Sequence, residues 1–295
     1  MRVLTRTQAE SFKSKRLGAL LAGLAMVGAG WGLLWGPEWR WNPLAFAVLW
    51  TGAATVMWSA SRVGHPGIKR HTVLAVLSIP AWWWFELVNA RVRNWEYVRT
   101  FEYSHTEWVV LQSLAFATVI PAIVSAVELV RSFLSAPQPE PPRAVSAKDA
   151  RVSRWEVALG VVLQVLVFIF PAQLFPLVWI APFVMLDGLV ALAGGRRISA
   201  GLLRGQWREV AMVALAGLLC GLLWEFWNHL ATPKWVYHIP LVGFAKIFEM
   251  PTLGYGGYIP FAWSIVKFVQ LIDLIAHRFA GRPVSRRKRA AVAAD

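Results

Sequence analysis

The amino-acid sequence predicts an all-α, polytopic membrane protein of about eight transmembrane helices, arranged as two parallel four-helix repeats. Hydrophobic residues make up 57% of the 295-residue chain and charged residues only 16%, whereas a soluble domain carries roughly 25% charged residues. The apolar residues occur in long blocks with the charges between them. A set of polar residues also recurs in the same order in both halves of the chain, which indicates an internal repeat.

Each apolar block is long enough to cross a hydrocarbon core of roughly 30 Å at about 1.5 Å per helical residue. The first block follows five cationic residues, as in a signal peptide, but it is long for one and lacks a small-residue cleavage motif. We therefore interpret it as a membrane helix. The predicted spans are 17–36, 43–61, 72–90, 108–134, 155–172, 175–194, 209–230 and 251–276.

The distribution of lysine and arginine predicts the orientation of the chain. An even number of spans places both termini on one side of the membrane, and cytoplasmic loops carry the excess of positive charge. Of the 30 lysines and arginines, 23 fall on the terminal side, and the opposite side has six: Arg40, Arg91, Arg93, Arg99, Lys234 and Lys246. Both termini are therefore predicted to be cytoplasmic, in a bacterial inner membrane. The same placement argues against nucleic-acid binding, despite the net charge of +14.

A proline-rich polar segment at 135–150 divides the chain near its middle. We predict a first four-helix membrane repeat at 1–134 and a Pro-rich cytoplasmic linker at 135–154. A second four-helix repeat follows at 155–277, and a basic cytoplasmic tail occupies 278–295. Because each repeat has an even number of spans, the two have the same orientation and are related by an axis along the membrane normal.

The repeated motif is a glutamate, an asparagine three residues later, a Trp-x-Tyr sequence and an Ile-Pro pair. The first copy consists of Glu86, Asn89, Trp95-Glu96-Tyr97 and Ile120-Pro121. The second copy consists of Glu225, Asn228, Trp235-Val236-Tyr237 and Ile259-Pro260. Glutamate and asparagine at this spacing share one helical face, which turns toward the bundle because exposure to lipid is costly.

The other two parts of the motif predict where a cavity forms. Trp-x-Tyr is expected in the external loop at headgroup depth, where amphipathic rings are favoured. Pro121 and Pro260 are expected inside the fourth and eighth helices, where a proline removes a backbone hydrogen bond and kinks the helix. Kinks at matched depth predict a cavity between the repeats that opens toward the outer leaflet.

Two interpretations of this polar set remain open. In the first, it forms a catalytic site composed of Glu86, Asn89, Tyr97, Glu225, Asn228 and Tyr237. In the second, the glutamates and asparagines make hydrogen bonds that only fix the packing of the repeats, and the Trp-x-Tyr rings form an interfacial belt. Retention of the polar set in two copies whose apolar residues differ favours the catalytic interpretation.

Aligning the two copies also predicts an ion pair. Glu128 lies seven residues after Pro121, and Lys267 lies seven residues after Pro260. Equivalent positions of two related units can meet near their axis, so we predict that Glu128 and Lys267 form a buried pair. The alternative is that both side chains reach the cytoplasmic headgroups separately.

The sequence predicts neither a metal nor a cofactor. His229 follows Glu225 by four residues, but alanine occupies the equivalent position of the first copy and no HxxxH or HExxH motif occurs. The single cysteine, Cys220, lies within an apolar block and cannot form an intramolecular disulfide. The glycines at 254–257 lie within a predicted span with no strand before them, so they do not indicate a phosphate-binding loop.

The second-copy stretch WEFWNHLATPKWVYHIPLVGFAKIFEMPTLGYGGYIPFAW, at 224–263, is similar to carotenoid hydratase and lycopene-cyclase-domain integral membrane proteins. The shared features are an acidic residue on a helix, an aromatic-x-Tyr sequence about ten residues later, a glycine, and a proline in the next helix. Pro260 is followed by Phe261-Ala262-Trp263 rather than by the acidic pair of lycopene-cyclase domains. The resemblance implies an isoprenoid substrate and a role in carotenoid biosynthesis, with Glu86 and Glu225 as the matching acids.

The chemistry of the motif is compatible with such a substrate. A carboxylic acid in an apolar cavity can protonate an alkene, and aromatic faces stabilise the resulting cation. We therefore predict a cofactor-free enzyme that acts by acid catalysis on an isoprenoid or other lipid, with Glu225 or Glu86 as the acid. The predicted partners are the bilayer and a hydrophobic small-molecule or lipid substrate. The alternatives are a proton-coupled carrier or permease, and a structural membrane protein without catalysis.

Overall fold

The structure, a computed structural model, describes residues 6–36, 38–98, 101–134 and 145–279. The helices are α1 Arg6–Leu34, α2 Asn42–Ala60, α3 Ile68–Val92, α4 His105–Phe116, α5 Val119–Phe133, α6 Ala147–Ile169, α7 Pro171–Leu174, α8 Leu177–Leu192, α9 Ile198–Leu203, α10 Trp207–Asn228 and α11 Tyr258–Phe279. A short 3₁₀ helix, Thr252–Gly257, precedes α11. The strands are β1 Trp95–Val98, β2 Lys234–Tyr237, β3 Lys246–Ile247 and β4 Met250–Pro251. The all-α prediction is confirmed, because these strands form only two short ribbons.

Within the described residues, seven helical segments are long and apolar enough to cross a membrane. They include α4 with α5 as one segment, and α11 with the 3₁₀ helix that precedes it. Every predicted span contains a helix, but α8, with 16 residues, is shorter than the seven. In α1 and α6 only 17% of the apolar window is buried, so these two helices form the outside of the bundle.

Glycines allow the outer helices to approach their neighbours closely. In α2, a Cβ at Gly52 would lie 2.7 Å from the carbonyl oxygen of Gly23 in α1. In α8, a Cβ at Gly188 would lie 2.7 Å from the carbonyl oxygen of Ser153 in α6. Small residues at such crossings bring helix backbones into contact. The pairs α1–α2 and α6–α8 therefore flank a central group formed by α3, α5, α10 and α11.

Helix α6 begins inside the segment 135–154 that was predicted to be a linker. The hydroxyl of Ser146 accepts a hydrogen bond from the backbone N–H of Asp149, which caps the helix, and α6 begins at Ala147. Part of the segment 135–154 is therefore helical. Residues 135–144 of the linker and 280–295 of the tail lie outside the described residues.

The prediction that Pro121 and Pro260 kink the middle of a helix is wrong. Each proline is the third residue of its helix, in α5 and α11 respectively. The first turn of a helix has no intrahelical partners for its N–H groups, so a proline there removes no hydrogen bond. The fourth predicted span is instead broken between α4 and α5.

The predicted ion pair between Glu128 and Lys267 is also wrong in its pairing. The ammonium of Lys267 lies 3.2 Å from a carboxylate oxygen of Asp187, and both side chains are buried. Glu128 pairs with Arg131 on its own helix. Asp187 also accepts hydrogen bonds from the backbone N–H groups of Ile198 and Ser199 at the start of α9. These two backbone donors help to stabilise the charge of the Asp187 carboxylate, which balances the charge of the buried Lys267.

Candidate functional site

The two Trp-x-Tyr segments pair with each other as an antiparallel ribbon, β1 with β2. Trp95 lies opposite Tyr237, and Tyr97 lies opposite Trp235. Exchanging the two strands therefore leaves the pairing unchanged, with Glu96 and Val236 at its centre. The ribbon joins the loop after α3 to the loop after α10 and brings both copies of the motif to one end of the bundle.

Each asparagine of the motif ties this ribbon to the end of its helix. The side chain of Asn228 accepts a hydrogen bond from the N–H of Trp235 and donates one to its carbonyl, at 2.9 and 2.8 Å. Asn89 makes the same pair of bonds with Trp95, at 3.2 and 2.8 Å, and also accepts from the N–H of Asn94. An amide carries both a donor and an acceptor, so it satisfies both backbone groups of one residue.

The carboxylate of Glu86 accepts three hydrogen bonds on one oxygen. The phenol of Tyr97 donates to Oε1 at 2.8 Å, and the indole N–H groups of Trp82 and Trp95 donate at 3.0 and 3.2 Å. The motif therefore brings its glutamate and tyrosine into direct contact.

Glu225 has an equivalent set of donors and is fully buried. Tyr237 donates to its Oε1 at 2.7 Å and Tyr258 at 2.6 Å, while the indole N–H of Trp235 lies at 3.4 Å. The second oxygen, Oε2, is buried without a hydrogen-bond partner. Neither glutamate forms an ion pair with a described lysine, arginine or histidine.

The expectation that the Trp-x-Tyr rings form an interfacial belt is wrong. Trp95 is buried, and both tyrosine hydroxyls point at a carboxylate rather than at the surroundings. Burial raises the pKa of Tyr97 and Tyr237 well above the usual value, and the charge of the adjacent glutamate raises it further. Both phenols therefore stay protonated and act as hydrogen-bond donors.

A cavity of about 340 Å³ lies beside the ribbon. It is bounded by the C-terminal ends of α1, α3, α4 and α10 and by the N-terminal ends of α2, α5, α8 and α11. Most of its wall is aromatic or aliphatic, including Phe46, Trp82, Trp95, Phe116, Trp179, Trp224, Trp235 and Phe261. In size and in lining it resembles a site for a small apolar ligand.

The motif residues have different positions relative to this cavity. Tyr97 and Tyr237 line it, together with Tyr258. Glu86 and Glu225 are not among the lining residues and lie behind these phenols. Each carboxylate is therefore separated from the cavity by the tyrosine and tryptophan side chains that donate hydrogen bonds to it.

Several site residues were not anticipated from the sequence. They are the third donors, Trp82 and Tyr258, and the carboxamides that line the cavity, Asn42, Asn94 and Gln112. The available signal was that Gln112 falls inside a predicted span, where a polar side chain is by default functional.

In the described part of the chain, no group of three or more histidine, cysteine, aspartate or glutamate side chains could hold a metal ion. Glu249 lies 2.5 Å from the ammonium of Lys234 and 3.7 Å from His229, so the histidine that follows Glu225 belongs to a surface cluster. No protein-family model matches the chain, and neither a curated protein nor a solved structure does.

Proposed function

We propose that this chain is an integral membrane protein with both termini in the cytoplasm, and that its cavity binds a hydrophobic small molecule or lipid. The cavity carries this proposal, because an aromatic chamber of about 340 Å³ has the size and lining of a ligand site. The seven long apolar helices support the membrane location. The excess of lysine and arginine at the other end of the bundle supports a position of the cavity on the outer side.

Two parallel four-helix repeats are part of the proposal. Its support is the set of matched contacts: Asn89 and Asn228 hold equivalent tryptophans, and Glu86 and Glu225 accept from equivalent tyrosines. The register of β1 and β2, which is unchanged when the strands are exchanged, fits a twofold axis between the repeats.

The loop after β2 supports access from the lipid. Ile239 and Val242 line the cavity, while Leu241 and Phe244 between and beside them are strongly exposed apolar side chains. Exposed apolar groups at the rim of a site are favoured against acyl chains rather than water. A hydrophobic ligand would then reach the cavity from the outer leaflet without crossing the aqueous phase.

Acid catalysis on an isoprenoid or other lipid is the second candidate, and the position of the tyrosines favours a specific route. Tyr237 lies between Glu225 and the cavity. In this route the phenol gives its proton to one carbon of an alkene, and the π electrons form the new C–H bond. A protonated Glu225 replaces that proton on the phenolic oxygen in the same concerted step, so no free phenolate forms, and the neighbouring tryptophan rings stabilise the cation. Water then adds to the cation, and its surplus proton returns through Tyr237 to the Glu225 carboxylate.

Lipid analysis of purified protein tests the binding proposal. Phenylalanine at Ala115, which lines the cavity, should fill part of it. Phenylalanine at Leu114, whose side chain is exposed on the same helix, is the matched control. A defined apolar molecule should co-purify with wild type and Leu114→Phe and be lost from Ala115→Phe. The same lipid content in all three proteins, each folded by size-exclusion chromatography, would contradict the proposal.

The catalytic candidate needs a separate measurement. Lipid extracts of cells that express wild type, Glu225→Gln or Tyr237→Phe should differ in one isoprenoid substrate and its hydrated product. Retention of the bound molecule by both variants, with unchanged cellular lipids, would leave a binding or carrier role and remove the catalytic one.

A further inference from the structure

The wall of the cavity contains no charged side chain among the residues that the structure describes. Its polar groups are the three tyrosine phenols, tryptophan N–H groups and the carboxamides of Asn42, Asn94 and Gln112. A phosphate or carboxylate placed among them would be buried with no cation beside it, at a cost of several kcal/mol. A ligand held inside the cavity is therefore uncharged there.

The carboxamide of Gln112 is a polar group of this wall that is free both to donate to and to accept from such a ligand. Gln112 is only 5% exposed and lines the cavity from α4. Its amide makes no hydrogen bond with any described residue, although most polar groups buried to this extent have a partner. The amide nitrogen and oxygen of Gln112 are partly accessible, whereas those of Asn42 are fully buried. The three tyrosine phenols, by contrast, already donate to the glutamates.

Two further amides lie in this wall, but their unpartnered atoms are buried and not accessible to a ligand. Asn42, at the first position of α2, is 1% exposed, and both polar atoms of its side chain lack a partner. Asn94, just before β1, has an unpartnered carbonyl oxygen. Three elements of the fold therefore each bring a carboxamide to one cavity.

From these observations we infer that the cavity selects an uncharged lipid with a terminal hydroxyl or carbonyl group, and that Gln112 binds this group. A carboxamide both donates and accepts, so it pairs with an alcohol or a ketone, and neither an acid nor an ammonium has a counter-ion here. The apolar chain of the ligand packs against the aromatic wall. This inference rests on the proposed binding function and specifies its ligand class.

Three probes that share one apolar chain separate the terminal groups. They are farnesol, farnesyl diphosphate and the hydrocarbon farnesene, each measured by equilibrium binding to purified protein in nanodiscs. Wild type should bind farnesol most tightly, farnesene several-fold more weakly, and the diphosphate least. The variant Gln112→Leu should weaken farnesol binding by about fivefold to tenfold, since one hydrogen bond is lost, and should leave farnesene unchanged within about twofold.

A matched control is the variant Gln164→Leu. Gln164 is a half-buried glutamine of α6 that contacts Gly160 and Met185 and does not line the cavity. It should bind all three probes as wild type does.

Three results would overturn the inference. Equal loss of farnesol and farnesene binding in Gln112→Leu would show that Gln112 only shapes the cavity. Diphosphate binding as tight as farnesol binding would show that the cavity accepts an anion. Absence of binding by all three probes would contradict the proposed function itself, and this result is distinct from binding that does not depend on Gln112.

Discussion

The two glutamate sites reach the same number of hydrogen bonds by different routes. In the first, the third donor is Trp82, four residues before Glu86 on the same helix. In the second, glycine stands four residues before Glu225, and the third donor is Tyr258 from α11. The first-half equivalent of Tyr258 is Val119.

The residue four positions before the glutamate and the residue at the start of the later helix must change together, because their side chains compete for the same volume. A Cβ at Gly221 would overlap the ring of Tyr258, so that ring occupies the volume that an indole occupies beside Glu86. The pairs Trp82 with Val119 and Gly221 with Tyr258 are therefore alternative solutions to one problem. What both sites retain is three donors on one buried carboxylate oxygen, because a buried carboxylate without donors is costly. The identity of the third donor is free to change.

The two halves also differ in their ion pairs, which lie at the end of the bundle opposite the cavity. We expect the largest loss of stability from a substitution there. Replacing Lys267 by methionine leaves the carboxylate of Asp187 buried without its cation and should destabilise the protein by about 3–5 kcal/mol. Thermal unfolding in detergent measures the loss. The charge exchange Glu128→Lys with Lys267→Glu should give no rescue, since Glu128 pairs with Arg131. Full recovery of stability by that exchange would contradict this pairing.

The coupled exchange itself can be tested by transplanting one site into the other. Gly221→Trp should collide with Tyr258 and lower the free energy of unfolding by about 1–3 kcal/mol. Adding Tyr258→Val should restore most of it, because the double variant copies the first site. Gly28→Trp on α1, where a side chain meets open space, is the control and should have little effect. If the double variant lost as much stability as the sum of the losses from Gly221→Trp and Tyr258→Val alone, the two positions would not be coupled.

The loss of stability on replacing each motif asparagine should increase with the number of backbone groups to which that asparagine is hydrogen-bonded. Asn89→Ala removes the hydrogen-bond partner of three backbone groups, and Asn228→Ala removes the partner of two. Both should lose about 2 kcal/mol, with the larger loss at Asn89. Asn42→Ala is a suitable control, because that amide has no partner to lose. Equal stability of all three variants in thermal unfolding would mean that the asparagines do not hold the ribbon.

The smallest effect is the behaviour of the two phenols at high pH, which should be alike. Burial raises the pKa of Tyr97 and Tyr237 above the value of about 10 found in unfolded chains. Their contribution to stability is therefore complete below pH about 10 and is lost as the pH rises further. Phenolate absorbance should increase together with unfolding, and Tyr237→Phe should reduce that step. Ionisation of Tyr237 before the protein unfolds would contradict this.

The long apolar blocks were sufficient to predict the helices, and the recurrence of the motif was sufficient to group Glu86 with Tyr97 in one candidate site. The break between α4 and α5 depends on a distant residue. The hydroxyl of Ser78 in α3 donates to the carbonyl of Phe116 and accepts from the N–H of Ile120, which supports both helix ends. No local pattern around Pro121 reveals this bond, so the proline was expected in mid-helix.

The partner of Lys267 was unpredictable for a similar reason. Symmetry between the copies suggests Glu128, but the carboxylate that meets the lysine comes from α8 and is positioned by α9. The cavity also depends on how eight helix ends and two loops meet, so only its end of the bundle could be predicted. The apolar wall and the three carboxamides appear together only in the folded chain.

Photolabelling tests the central claim, that the chamber beside the ribbon binds an apolar ligand. A farnesol analogue with a photoreactive diazirine should be added to the protein in nanodiscs, and the labelled peptides identified by mass spectrometry. We expect label on peptides that contain the cavity wall, at Phe116, Trp179 and Phe261, and competition by unlabelled farnesol. Label confined to the outer faces of α1 and α6, without competition, would contradict the claim.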